Sequence, residues 1–370
     1  MRLKNNLRMI SLKIGNRLQK LRQGLVEKEI DAIFISQPEN RYYLSGFDGS
    51  SGFLLNTLQK MILATDFRYI EQAKRQAPDY EIFQISGGIE DWFPRLVAGL
   101  NLERLGVETE HITLAMYQQL TEVSKQAKLR LVPTDGLVES LRATKEAEEI
   151  ELITKAVEIS DNAFEYIKDK IHTGMSEKEV AWEIEKYLRE NGSQTVPFDL
   201  IVASGPNSAL PHAKPSQRSI HSGEPIVIDI GAKFGGYSSD LSRTICLGHP
   251  DDTFNKVYDT VLGAQLAALT TIKKGMTGEE ADGLARTVIE QAGYGDAFGH
   301  SLGHGVGLVP HESPRLGPKS LEHLVDGMVF TVEPGIYLVG WGGVRIEDIV
   351  VMEGSKARVI TKARKIRHDN

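Results

Sequence analysis

The sequence predicts an α/β (α+β) protein of two domains, an α/β domain over residues 1–138 and a second domain over 139–370 built from two similar halves. Three observations carry this. Short apolar runs alternate with helix-like stretches from residue 15 to 135; a long helical pattern follows Pro133, Asp135 and Gly136; and the remainder of the chain repeats itself.

The opening segment is rich in Lys and Arg, with no acidic residue before Glu27. It lacks the uninterrupted apolar core and small-residue cleavage site of a secretory signal, so we expect a surface helix, with a few leading residues unordered. The runs DAIFIS (31–36), GFLLNT (52–57) and KMILAT (60–65) read as strands of the first domain, which holds no cluster of metal-ligand type. From 144 to 171, Ile150, Ile153, Val157, Phe164, Ile167 and Ile171 form the apolar stripe of an amphipathic helix.

The repeat begins there. Ile171, Gly174, Met175, Ser176, Glu179 and Gly192 recur 101 positions later as Ile272, Gly275, Met276, Thr277, Glu280 and Gly293. Ser176 with Glu179 and Thr277 with Glu280 each fit a capping box, and Gly192 and Gly293 suit a left-handed helix stop. The correspondence continues into strands. LPHAKP (210–215) matches VPHESP (309–314), GEPIVIDIG (223–231) matches GMVFTVEPG (327–335), and GGYSSD (235–240) matches GGVRIE (342–347). These alignments pair His212 with His311, Asp229 with Glu333 and Asp240 with Glu347, so polar residues occupy equivalent places in halves related by an approximate twofold.

Asp229 and Glu333 are embedded in apolar runs, where a charge costs several kcal/mol unless it is paired or bound to a cation. One such carboxylate is most simply a structural ion pair. Four in two matched pairs, with Arg243 and Arg345 nearby but not evidently sufficient to neutralise them, point instead to divalent ions. Two ions about 3.5–4 Å apart can share and activate one water, which makes hydrolysis the natural chemistry.

The stretch GHSLGHGVGLVPHE (299–312) adds three histidines. His300 and His304 stand four apart, yet Gly303, Gly305 and Gly307 disfavour a helix and suggest extended or bulged backbone, with clearance for a metal and a peptide to approach. His304 has no counterpart in VASGPNS (202–208) of the first half, which suits a fifth ligand that makes the two metal positions unequal. His300 reads equally as a packing or a substrate residue.

Composition bounds the remainder. A formal net charge of −7 and a pI near 5.9 give no basic footprint for nucleic acid, and no apolar run approaches the length of a membrane span. The single cysteine, Cys246, excludes intrachain disulfides and Cys-rich metal sites and fits a reducing cytoplasm.

DIG with Asp229, SSDLSRT with Asp240, GHGVG with His304, VEPGIY with Glu333 and VRIED with Glu347 resemble the motifs of the pita-bread metallopeptidases (M24), specifically the Xaa-Pro peptidases prolidase and aminopeptidase P. NRYYLSGFDGSSGFLL (40–55) is similar to the N-terminal creatinase/prolidase-like domain of that family, so the resemblance spans nearly the whole chain. It implies a dinuclear site, with Mn²⁺ or Co²⁺ favoured and Zn²⁺ or Fe²⁺ compatible. Asp229 would chelate one ion, His304 and Glu333 would serve the other or be shared, and Asp240 and Glu347 would bridge.

The resemblance further implies Glu333 as proton shuttle and His212 and His311 as substrate histidines. Arg345 would orient the bridging carboxylates or simply be buried as their ion pair, and Ser242 keeps the hydroxyl of the threonine common at its place. Arg315 reads either as a partner for a substrate carboxylate or as a solvated arginine. The partners implied are Xaa-Pro dipeptides, or short peptides with proline second, and a second copy of the chain in a homodimer. The choice between dipeptidase and aminopeptidase P stays open. A methionine aminopeptidase-like enzyme is disfavoured by the N-terminal domain, and metal-free creatinase or a catalytically inactive binding module by the intact ligand set. The basic C-terminal ITKARKIRHDN is expected to be an exposed end.

Overall fold

A computed structural model describes residues 2–366, with side chains from residue 14 onward. The chain divides into two compact units, Met1–Arg142 and Ala143–Asn370, a few residues past the expected break after 138. The α/β expectation is borne out in both.

The first unit is built on a six-stranded mixed sheet in the order Glu81–Ile85, Met61–Asp66, Phe53–Thr57, Ala32–Ile35, Arg104–Glu108, Arg130–Thr134. Ala32–Ile35 is central because all four of its residues are buried, and it pairs antiparallel with Phe53–Thr57 and parallel with Arg104–Glu108. Phe34, Phe53, Trp92 and Phe93 stack into an aromatic core under the helix Ile89–Val97. The N-terminal helix, Arg2–Glu27, is more than a surface element. Ile14, Leu18, Leu21 and Leu25 recur at helical spacing and are buried, whereas the expectation for the leading residues falls on residue 1 and on side chains outside those described.

The second unit is two copies of one motif. In the first half, helices Ala147–Lys168 and Glu177–Glu190 accompany the antiparallel sheet Leu241–Cys246, Pro225–Ile230, Ile201–Ser204. In the second, helices Asp252–Thr271 and Gly278–Gln291 accompany the sheet Glu312–Leu316, Gly303–Gly305, Val329–Val332, Asp348–Glu353, Lys356–Val359. Each half has its own apolar core, around Ile184, Val202 and Ile228 in one and Ile289, Phe330 and Val350 in the other.

Both capping boxes form. Ser176 Oγ accepts from Glu179 N at 3.2 Å and Thr277 Oγ1 from Glu280 N at 3.1 Å, while Glu179 and Glu280 return to the cap N–H groups at 2.8 Å each. Gly192 and Gly293 take φ of 100° and 85° just past the two helices, a conformation that a Cβ would strain.

The halves are stitched along two strands. Thr244 Oγ1 donates to Arg345 O at 2.9 Å and accepts from Arg345 N at 3.0 Å, and Glu347 N donates to Ser242 O at 3.1 Å. The buried guanidinium of Arg243 donates to Asp348 Oδ1 at 2.8 Å and to Ala363 O at 2.7 Å.

That last contact corrects the reading of the C-terminal segment as an exposed end. Ile360, Thr361 and Ala363 are buried, the Asp161 carboxylate accepts from the N–H groups of Lys362 and Ala363 at 2.8 and 2.9 Å, and Lys365 reaches Asp348 at 2.6 Å. The basic residues kept the segment looking solvated, but Ile360 and Ala363 are buried between them. Residues 367–370 lie outside those described.

Candidate metal centre

Four carboxylates and one imidazole are delivered by strands of the two sheets and the residues that flank them. Asp229 sits within strand Pro225–Ile230 and pairs in register with Ser242 across the ladder. Asp240 immediately precedes Leu241–Cys246, as Glu347 immediately precedes Asp348–Glu353, and Glu333 follows Val329–Val332. His304 comes from the short strand Gly303–Gly305, where the ladder slips by a bulge between His304 and Gly305.

The glycines beside His304 are clearance, but for neighbouring strands and not for a metal or a substrate. A Cβ at Gly303 would lie 2.0 Å from Thr331 O, one at Gly305 2.0 Å from Ser313 O, and one at Gly307 2.2 Å from Glu312 Oε1. The close backbone approach expected from the sequence is real, and its occupant is the sheet itself.

Ligand atoms of Asp240, His304 and Glu347 all lie within 4.8 Å of one another. His304 Nε2 is 3.0 Å from Glu333 Oε1 and 3.7 Å from Asp240 Oδ2. Its Nδ1 faces Gly305 O at 3.1 Å, and its backbone N–H donates to Thr331 Oγ1, which donates in turn to Glu333 Oε1 at 3.0 Å. Its Nδ1 contact with Gly305 O orients the ring and leaves Nε2 toward the carboxylates, the arrangement a metal-ligating imidazole needs. Arg345 Nη2 donates to Asp229 Oδ2 at 2.6 Å and its Nε to Ser242 Oγ at 2.8 Å, which fixes the Asp229 carboxylate.

One arginine does not balance this cluster. Burial pushes Asp240 well above the ordinary carboxylate range, with repulsion from Glu347 next, and burial and Glu333 do the same to Glu347. Burial also raises Asp229, against the pull of Arg345. Burial opposes charge on Glu333 and His304 too, but their mutual hydrogen bond prevails, holding Glu333 at about 2 and raising His304. The cluster thus takes up protons more readily than separate, solvated carboxylates would, as a site short of cations does. Among the described residues, Asp229 Oδ1 and Glu347 Oε1 are buried with no hydrogen-bond partner, acceptors that a hard or borderline divalent ion would satisfy. The donor set therefore fits a metal.

Asp229, Asp240 and Glu333 line a cavity of about 540 Å³. His212, His311 and Arg315 line it on one side with the metal-ligand residues, and Phe198, Ile201 and Ala213 supply an apolar wall. The His311 ring lies 4.0 Å from that of His304, and burial together with His304 lowers its pKa, keeping it neutral. Arg315, which lines the cavity, donates from Nε to Ser301 Oγ at 3.1 Å.

His300, undecided in the sequence, packs edge-on against Phe298 at 5.0 Å and meets Tyr337 OH through Nε2 at 3.0 Å. Tyr337 OH also accepts from Arg345 Nη1 at 2.8 Å. His300 consequently touches the Arg345–Asp229 pair through Tyr337 while also lining the cavity. Tyr337 and Thr331 are the members of the site that sequence reasoning passed over. Both are polar residues in strands that are otherwise apolar, Thr331 in VFTV and Tyr337 in GIYL, and that was the available signal.

Two family descriptions match the chain: the metallopeptidase family M24 over residues 151–353 and the creatinase/prolidase N-terminal domain over 17–144. The chain is 38% identical over 348 residues to a Xaa-Pro dipeptidase of Pyrococcus furiosus, covering 94% of this chain and 97% of that one. Its structure resembles that of a Xaa-Pro dipeptidase from Bacillus anthracis, with TM-score 0.92 and 42% identity over 96% and 99% of the two chains. It also resembles an X-Pro aminopeptidase from Thermotoga maritima, with TM-score 0.84 and 38% identity over 92% and 97%. The family read from five short motifs in the sequence is borne out, and the chain belongs to metallopeptidase family M24, with the creatinase/prolidase type of N-terminal domain.

Proposed function

We propose that the protein is a metal-dependent Xaa-Pro dipeptidase, hydrolysing the peptide bond that precedes proline. The observation that carries this reading is that Asp229, Asp240, His304 and Glu333, with Glu347 beside Asp240 and His304, line the same cavity as His212, His311 and Arg315. Similarity along the full length to Xaa-Pro dipeptidases supports the substrate class.

In this reading the five ligands hold two divalent ions, Mn²⁺ first among Mn²⁺, Co²⁺, Zn²⁺ and Fe²⁺. When bound, such a pair supplies Lewis acidity and a water that ionises near neutral pH. Glu333 is anionic across the neutral range, accepts the proton of the attacking water and passes it to the departing proline nitrogen. His212 and His311 donate N–H groups to the scissile carbonyl oxygen and to the oxyanion that develops there. Arg315 pairs with the free carboxylate of the proline, which selects a dipeptide, and the Phe198 and Ile201 wall takes apolar substrate surface. Ser242, Arg345 and Tyr337 orient Asp229.

The reading includes a homodimer acting in the cytoplasm. It draws for this on the family resemblance and on the single, buried cysteine, Cys246. No described helix is long and apolar enough to cross a membrane.

The Mn²⁺-loaded protein is expected to release proline from Gly-Pro and Ala-Pro and to leave Xaa-Pro-Yaa tripeptides intact. Tripeptide cleavage would turn the reading to an aminopeptidase P, of which the Thermotoga maritima neighbour is the example. Hydrolysis of none of these would end it.

A further inference from the structure

His212 is carried by a loop, whereas its twin His311 adjoins a ladder strand, and the difference raises the question of what holds His212 in place. The chain from Ser204 to Arg218 contains only the short turn Gly205–Ala209, yet it must present an imidazole to the cavity. A fully buried carboxylate that the chemistry above leaves unused, Glu177, closes it. Glu177 Oε1 accepts from Ser204 N at 2.8 Å, Ser204 Oγ at 2.9 Å and Asn207 Nδ2 at 3.1 Å. Glu177 Oε2 accepts from Ser216 N at 3.0 Å and Ser216 Oγ at 2.6 Å. One side chain on the first turn of a helix thus gathers the start, middle and end of the loop.

The loop is tied forward to the site as well. Ser208 Oγ accepts from Gly343 N at 2.8 Å, and Pro211 O, next to His212, accepts from Arg345 Nη1 at 3.2 Å. The pseudo-twofold supplies an internal control. Position 278 is the counterpart of 177, and the backbone ladder around it is shared. Glu177 N and Lys178 N donate to Arg218 O and Ser216 O, and Gly278 N and Glu279 N donate to Glu322 O and Ser320 O. The side chain is not shared: Gly278 packs so closely that a Cβ there would lie 2.0 Å from Arg315 O. The half whose histidine lies beside a strand has glycine, and the half whose histidine lies on a loop has the carboxylate.

We propose that Glu177 is a positioning residue that sets His212 for substrate by tethering the 204–216 loop. The proposal rests on the substrate role given to His212 above. Its test combines two readouts on the Mn²⁺-loaded full chain, for Glu177→Gln, which keeps the size and one acceptor, and for Glu177→Ala. Hydrogen exchange should rise in the peptide spanning 204–216 and stay unchanged in the strands carrying Asp229, Asp240, Glu333 and Glu347, with metal content unaltered. Ala-Pro turnover should fall about 10- to 100-fold, the loss expected for a small misplacement of a reacting group. In a His212→Ala background the Glu177 changes should cost nothing further, because the tether acts only through that residue.

Unchanged exchange at 204–216 in both variants, or losses that multiply with His212→Ala, would overturn the proposal. If the wild type turned over no proline dipeptide, the functional reading would fail, while the exchange arm would still decide whether Glu177 holds the loop.

Discussion

The two halves of the catalytic unit share a scaffold and divide the chemistry unequally. In the first, aspartates suffice: Asp229 projects from within its strand and Asp240 from the residue before the next. In the second, glutamates stand in their place, and Glu333 starts beyond the end of Val329–Val332, so the longer side chain covers the extra reach. His304 belongs to the second half alone and makes the two sides chemically distinct, one facing Arg345 and the other facing imidazole. Duplication therefore explains where the site is. The unmatched residues explain what it can do: His304, Arg315, Glu177 and Tyr337 have no equivalents across the twofold.

The largest effects should come from the shared positions. Asp240→Ala is expected to abolish Ala-Pro hydrolysis and the binding of two ions per chain, read by metal analysis after gel filtration; retention of either would show that Asp240 does not bridge. His311→Ala should keep both ions and lose about 10²- to 10³-fold in kcat, the cost of one donor to a developing oxyanion. Loss of metal from that variant would make His311 a ligand and break the pairing with His212.

Next comes the seam between the halves. Arg243→Met leaves Asp348 buried with Lys365 as its remaining cation and should lower stability by about 3–5 kcal/mol in urea unfolding, the usual cost of breaking a buried ion pair.

Protons and metal compete for the same carboxylates, which gives the comparison a pH axis. Asp240 and Glu347 have raised folded pKa values, so the metal-free native state binds more protons than the unfolded chain above the ordinary carboxylate range, near pH 4. Raised His304 acts in the same direction; lowered His300 and His311 oppose it around the ordinary imidazole range without outweighing the two carboxylates and His304, and Glu333, lowered, opposes it only at more acid pH. Stability of the metal-free protein should fall as pH rises from about 5 to 8, and Mn²⁺ should remove that slope while releasing protons on binding. A melting temperature of the metal-free protein that rises over this window would contradict the charge balance drawn for the site.

The smallest effects should be equal across the twofold. Ser176→Ala and Thr277→Ala each remove a helix cap and should cost about 1 kcal/mol, with turnover unchanged.

Much of this was legible in the sequence, because the caps, glycine stops and carboxylates repeat at fixed spacing and because local hydrogen bonds obey local rules. The repeat brought Asp229, Asp240, Glu333 and Glu347 to notice and left His304 without a twin, the family motifs carried the same five residues, and the structure brings them together. What stayed hidden depends on long-range packing. Tyr337 joins His300 to Arg345 across strands, and Glu177 serves a loop 27 to 39 residues away. The segment that buries Ile360 and Ala363 is held by Asp161, some 200 residues earlier, which accepts from the backbone N–H groups of Lys362 and Ala363. None of these has a spacing that announces it.

The central claim is that both halves contribute to one metal-dependent site acting before proline. Titrating the metal-free protein with Mn²⁺ while following proline release from Ala-Pro in the same samples tests it most directly. The account predicts no turnover without metal and full turnover as the content reaches two ions per chain. Turnover that persists in excess chelator, or none at full occupancy, would contradict it.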